Sequence, residues 1–341
     1  MKNLENSLQE TANKNIKGII KDVFEYTEKE NAVIVYDTNS SISKILYIAY
    51  KEALPSATFI DFNSTEPQKI LEILNELQES DFVALVQSKN FRLDAFRIRV
   101  ELFKRKIKVI EHPHLSRMSD DEVPCYIDSM FYDKEYYRGT GYALKAKIDA
   151  ARGGVIESDG DLLYFSSPFE SAKLNIGDYR EMANTGGQFP IGEVFTEAKD
   201  LESVHGRVKI FIFSDTSYQI NKPITPATLI IEKGQVVATE NTTPAFDEIL
   251  DLIREGEESI WLRELGFGLN SAFSKTRTVS DTGTYERMCG VHLSLGRKHG
   301  MYGKPGFKRG DGKFHIDVFV DTTSVKLDDE VIFENDRWIV K

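Results

Sequence analysis

The sequence predicts an α/β protein in two parts: a doubly wound parallel-sheet domain over residues 1–150, then a mixed α+β domain over 151–341. Three observations predict it. A chain of 341 residues is long enough for about two domains of roughly 100–200 residues each. In the first half, short apolar runs alternate with helical stretches, the pattern of strands buried on both faces of a parallel sheet. In the second half, strand-like runs are joined by Gly, Asp and Asn turns, the pattern of antiparallel pairing.

Leu4, Leu8, Ala12, Ile16, Ile19, Ile20 and Val23 recur at helical spacing and predict an amphipathic helix over residues 3–28. The apolar runs AVIVYD (32–37), ATFIDF (57–62), FVALVQ (82–87) and IKVIEH (107–112) alternate with helical stretches at 41–53, 66–78 and 93–105. Ligands of such sheets sit beyond the carboxyl ends of the strands. Here those ends carry Asp37-Thr38-Asn39-Ser40-Ser41, Ser88-Lys89-Asn90 and His112-Pro113-His114. None is a glycine-rich phosphate loop, which argues against nucleotide binding. His112 and His114, held extended by Pro113, read either as a polar loop or as a metal-binding pair.

Residues 122–151 read as helical up to the break at Gly153-Gly154. GVIESDGDLLYFSS (154–167) then reads as a hairpin turning at Ser158-Asp159-Gly160-Asp161. RVKIFIFSD (207–215), ATLIIEKGQVVATE (227–240) and DEVIFENDRWIV (329–340) read as strands, with one helix over 245–255.

Lys and Arg number 43 against 54 Asp and Glu, a net charge of −11 that opposes the phosphate contacts of nucleic-acid binding. Two cysteines, Cys125 and Cys289, are too few for a disulfide framework and fit a reducing compartment. Cys289 reads as a small buried residue. No run approaches the ~20 apolar residues needed to cross a bilayer. The first thirty residues are charged throughout, so a cytoplasmic protein is expected.

Four segments carry metal-type side chains. On Phe314-His315-Ile316-Asp317-Val318, the strand period of two puts His315 and Asp317 on one face, as a ligand pair or as a solvated polar face. His292 stands in the small, apolar run Gly290-Val291-His292-Leu293-Ser294-Leu295-Gly296, as a ligand or as a core histidine. Glu264 precedes Leu265-Gly266-Phe267-Gly268, and Glu193 follows Phe189-Pro190-Ile191-Gly192; each is a ligand candidate or a turn acid. Taken singly, none specifies a function.

Together and in this order, Pro190-x-Gly-Glu193-Val-Phe-Thr, Glu264-Leu-Gly-x-Gly-x-Asn, Gly290-x-His292-x-x-Leu-Gly296 and His315-x-Asp317 resemble the M29 family of metal-dependent aminopeptidases, aminopeptidase T and its relatives. The resemblance is strongest over residues 184–320. It implies two divalent ions, zinc, cobalt or manganese, held by Glu193, Glu264, His292, His315 and Asp317. A pair of ions roughly 3.5–4 Å apart would activate a water against the first peptide bond of a short peptide. The resemblance also implies a homodimer. The family's tyrosine, seven residues after the first histidine, is His299 here, which makes His299 and the nearby Tyr302 the candidate catalytic groups.

The resemblance extends to the related 2,5-dihydroxypyridine dioxygenases, for which His292, His315 and Asp317 would hold one iron(II). A third reading is a metal-containing binding protein without turnover. Between His292 and His315, Arg297, Lys298, Lys304, Lys308, Arg309 and Lys313 face only Asp311 as an opposing charge. Such a segment is either a solvated loop or a receiver of a substrate carboxylate, with Arg297 and Lys304 as the candidate contacts.

Overall fold

The computed structural model describes residues 2–93, 97–304, 307 and 312–340. Its chain divides into two compact units, Met1–Tyr137 with Gly177–Ile191, and Arg138–Ile176 with Gly192–Lys341. The division differs from an uninterrupted boundary near residue 150, because a glycine-rich stretch returns to the first unit.

The first unit runs α1 (Lys2–Asp22), β1 (Ala32–Tyr36), α2 (Ser41–Ala53), β2 (Thr58–Asp61), α3 (Pro67–Glu76), β3 (Phe82–Val86), α4 (Ile98–Lys104), β4 (Lys108–His112) and α5 (Val123–Ser129). α1 buries Ala12, Ile16, Ile19 and Ile20 and packs on α2 and α5, and Val23 just past its end is buried as well. It stops at Asp22, short of residue 28, and the chain turns at Glu25 with φ 47°. α2 starts where Ser40 and Ser43 exchange reciprocal side-chain to backbone hydrogen bonds of 3.1 Å. All strands are parallel. Val33, Val35, Val83, Leu85 and Val109 share one face and pack with Ile70, Leu74, Ile98 and Leu102 of α3 and α4.

The predicted helix over 122–151 is two helices, α5 and α6 (Lys134–Ala150), and α6 falls almost wholly in the second unit. β5 (Gly154–Ser158), β6 (Asp161–Phe165) and β7 (Lys173–Asn175) follow, and β8 (Gly186–Gln188) then pairs with β4, giving the first unit the order β2-β1-β3-β4-β8.

The second unit continues with β9 (Glu193–Thr196), β10 (Val204–Ser214), β11 (Ile220–Asn221), β12 (Ala227–Glu232), β13 (Gln235–Glu240), α7 (Pro244–Glu257) and β14 (Leu262–Gly268). It ends with α8 (Thr282–Tyr285), β15 (Gly290–Leu295), β16 (Ile316–Val320), β17 (Ser324–Leu327), β18 (Glu330–Glu334) and β19 (Arg337–Trp338). One antiparallel sheet runs β19-β18-β17-β5-β6-β10-β16-β15-β14-β9-β7, and β11 and β12 also pair with β10. The predicted hairpin turns at Ser158–Asp161, and 245–255 is helical within α7. Every strand that carries a candidate ligand lies in the adjacent set β16-β15-β14-β9. Among the described residues, no helix is long and apolar enough to cross a membrane.

Candidate metal centre

Register brings the acids and imidazoles together. Gly268 pairs with Glu193, Gly266 with His292, and Ser294 with Asp317. Directly paired residues project to the same face, so Glu193, His292 and Asp317 come from three strands onto one face. Between Leu262 and Leu265 the β14 strand holds one residue more than its partner, a bulge at Arg263 and Glu264. Glu264 joins the cluster from that bulge, its amide donating to Ser294 Oγ at 2.9 Å. Gly266 makes room for the imidazole: a Cβ there would lie 2.0 Å from His292 Cε1 and 2.2 Å from Nε2.

Glu193, Glu264 and His292 are buried and offer ligand atoms that all lie within 4.8 Å of one another. His292 Nε2 lies 3.3 Å from Glu193 Oε1 and 3.5 Å from Glu264 Oε1. The second oxygen of Glu264 lies 3.2 Å from His299 Nδ1. His315 Nε2 lies 3.1 Å from Asp317 Oδ1, so the strand period does pair them. His315 Nδ1 faces the Lys298 carbonyl at 2.9 Å, and the Asp317 amide donates to Ser214 Oγ at 2.9 Å.

Burial alone would lower the pKa of His292, but the Glu193 and Glu264 carboxylates hold it well above the usual histidine value. His315 is likewise raised, to about 10, because Asp317 outweighs its burial. Burial would raise Glu193 and Asp317, yet both lie below the usual carboxylate range, Glu193 through Arg287 and His292, Asp317 through His315 and His292. His299 goes the other way: burial lowers it to about 4, so it is neutral at pH 7.

The residues fit a divalent cation. His292 Nε2, His299 Nε2 and Asp317 Oδ1 are buried without a hydrogen bond of proper geometry, an unmet demand that coordination would satisfy. Clustered carboxylates with imidazoles suit zinc, cobalt, manganese or iron.

Two residues outside the sequence reading belong to this cluster. Arg287 is buried, with Nη1 2.6 Å from Glu193 Oε2 and 2.5 Å from Glu286 Oε1. Burial, reinforced by Glu193 and Asp317, raises Glu286 to about 8. Their signal was position alone, a charged pair just before the strand of His292. Cys289 in the same stretch is part-exposed, not buried as expected, with Sγ 3.6 Å from the Asp336 carbonyl.

Two expectations, for Tyr302 and Lys304, differ from the structure. The Tyr302 hydroxyl donates to the carbonyls of Ser171 at 2.8 Å and Phe195 at 3.4 Å, so backbone takes up its proton. Only its ring approaches the centre, 5.3 Å from that of His299. Lys304 is buried, and its ammonium bonds Glu170 at 2.6 Å, Ala198 O at 2.6 Å and Lys199 O at 3.1 Å, leaving no free charge for substrate. Arg297 donates to Ser259 Oγ at 3.4 Å and lies over the Phe307 ring. Lys308, Arg309 and Asp311 of the basic segment lie outside the described residues. In the first unit His112 is closed to metal, since its ring nitrogens meet Tyr50 Oη at 2.7 Å and Tyr126 Oη at 3.0 Å.

No protein-family model matches the sequence, and no curated protein matches it. The solved structures similar in fold include two enzymes. The 2,5-dihydroxypyridine dioxygenase from Pseudomonas putida KT2440 has a TM-score of 0.62 at 14% identity, over 97% of this chain and 97% of its own. Wild-type AmpT from Thermus thermophilus has a TM-score of 0.59 at 13% identity, over 97% of this chain and 99% of its own. Identities this low establish a shared fold and leave membership of either family open.

Proposed function

We propose that the protein is a metal-dependent aminopeptidase, a cytoplasmic homodimer that removes the amino-terminal residue of short peptides. The observation that carries this reading is the donor count: Glu193, Glu264 and His292 lie together, Glu264 also faces His299, and His315 pairs with Asp317, more ligand groups than a single catalytic ion with open positions would take. Glu264 faces one imidazole with each oxygen, as a carboxylate shared between two ions would. Two bound ions would supply an activated water, polarise the scissile carbonyl and anchor a free amine. The chain's own part is preorganisation. Arg287 fixes Glu193, Lys298 O fixes the His315 ring, and Ser214 and Ser294 fix the backbones of Asp317 and Glu264. AmpT, an M29 aminopeptidase of the same fold, supports the reading.

A second reading, a mononuclear iron ring-cleaving dioxygenase, is favoured by one observation. Arg287 takes up Glu193 Oε2, and His292, His315 and Asp317 then form a set of two imidazoles and one carboxylate. Metal content of protein purified without added metal, read together with turnover, separates the two. Two zinc, cobalt or manganese ions per chain with release of amino-terminal residues from a peptide panel is the expected result. One iron per chain with oxygen uptake on a dihydroxypyridine overturns it.

A further inference from the structure

The first unit carries a cavity of about 460 Å³ where β3, β4 and β8 end, at the carboxyl side of the parallel sheet on which ligands of such sheets sit. Its volume is that of a small-molecule site. Phe91 supplies an aromatic wall, its ring stacked on that of Phe62 with centroids 4.1 Å apart. The loops that follow β3 and β4 are tied together. The Leu115 amide donates to Gln87 O at 3.0 Å, and the Ser116 amide donates to Ser88 O at 3.1 Å. This holds His114, in the left-handed region at φ 56°, against the cavity.

The lining is cationic in an acidic chain. Among the described residues, Arg92, Arg97 and Arg99 line the cavity with Glu111 as the one acid. Glu111 is already engaged: Arg99 Nη1 bonds its Oε2, Gln87 Nε2 donates to Oε1 at 2.9 Å, and Gln188 Nε2 donates to Oε2 at 3.2 Å. Arg99 and Glu111 therefore neutralise each other. The guanidiniums of Arg92 and Arg97 are exposed and meet no carboxylate and no hydrogen-bond acceptor among the described residues. Elsewhere the chain, with 54 Asp and Glu to 43 Lys and Arg, sets its arginines on acids: Arg207 on Asp161 and Glu240, Arg263 on Glu197, Arg287 on Glu193. Two unpaired guanidiniums on one concave surface leave a local positive field that no protein anion meets. Their planar donor forks match the oxygens of a carboxylate or a phosphate.

We infer that this cavity binds a small organic anion, a carboxylate or phosphate ester of a flat apolar body, with its anionic group on Arg92 and Arg97 and its body against Phe91. The lack of a glycine-rich loop at these strand ends argues for a single anionic group over a polyphosphate. The inference is independent of the metal-centre reading, whose residues belong to the second unit.

Titration calorimetry on the full chain with phenyl phosphate, phenylacetate and benzylamine tests it, on the natural protein and on Arg92→Gln, Arg97→Gln and the double variant. The natural protein should bind phenyl phosphate or phenylacetate once per chain with Kd below about 1 mM. The tighter of the two identifies the anionic group that the cavity takes. Benzylamine, an aromatic ring carrying the opposite charge, should not bind. Each single variant should weaken anion binding by about tenfold or more, and the double variant should abolish it, since each removes charge-assisted hydrogen bonds. Circular dichroism identifies any variant that fails to fold, and the remaining single variant then carries the comparison. Binding of neither anion, or equal binding of benzylamine, overturns the inference. So does an affinity unchanged in the folded variants, because the anion then sits elsewhere.

Discussion

At the scale of single residues, the candidate site was legible wherever an unusual residue sits in a surrounding that does not explain it. Gly266 is such a case, since the glycine after Glu264 and Leu265 is needed because His292 occupies the space of its missing side chain. His112 is the opposite case, legible as unusual and misleading as a metal ligand. Two tyrosine hydroxyls hold its ring, and burial lowers its pKa to about 3. An unfolded histidine takes up a proton below about 6.5, whereas this one stays neutral until about pH 3. Over that window the unfolded state binds more protons, so the stability His112 contributes is present above pH 6.5 and declines as pH falls. The slope is about 1.4 kcal/mol per pH unit. Denaturant unfolding between pH 4.5 and 6.5 should therefore be steeper in pH for the natural protein than for His112→Gln, by about 1 kcal/mol per unit. Equal slopes would show that His112 is not a buried neutral group.

Elements divide by how local their causes are. The strands β1 and β3 were readable because each is a nearly continuous apolar run, β2 and β4 because each has an apolar pair at its centre, and α2 because its serine cap and apolar spacing lie within a few residues. The strand β8 was not, since Gly186-Gly187-Gln188 has no apolar pattern and exists only through pairing with β4. There a Cβ on Gly186 would meet Val109 O at 1.9 Å. Residues 297–304 failed for a related reason: basic residues between glycines look solvated, and nothing local reveals that Glu170 and Glu197 wait for Lys304. The ammonium of Lys304 lies 2.6 Å from Glu170 Oε1 and 3.7 Å from Glu197 Oε2, and Glu197 is fully buried beside Arg263. Removing one partner from such a network leaves uncompensated buried charge, so Lys304→Met should cost about 3–5 kcal/mol in urea unfolding. A loss under about 1 kcal/mol, the range of exposed ion pairs, would return Lys304 to the two readings its sequence left open, a solvated loop or a substrate contact.

On the scale of the whole chain, the net charge of −11 gives no hint of where the acids gather. The second unit gathers Glu193, Glu264, Glu286 and Asp317 in one buried region with Arg287 as the guanidinium among them. In the metal-free protein, protons on His292 and His315 supply the balancing charge, as their raised pKa values indicate. A divalent cation would displace those protons, and it would bind the folded arrangement and not the unfolded chain, in which residues 193, 264, 292 and 317 are far apart in sequence. Metal binding is then folding free energy: about 4.1 kcal/mol at a free ion concentration a thousandfold above Kd. For a unit of this size each kcal/mol moves the melting temperature by about 2–4 °C. Stripping the protein with a chelator should therefore lower its melting temperature by roughly 8–16 °C in calorimetry, and restoring zinc should recover it. Asp317→Ala should lose most of that metal-dependent increment, because it removes a ligand from β16 while the strand keeps its pairing with β10 and β15. A melting temperature indifferent to chelator and zinc would mean that the protonated histidines already complete the cluster, and that these acids and imidazoles form a self-neutralised core instead of a metal centre.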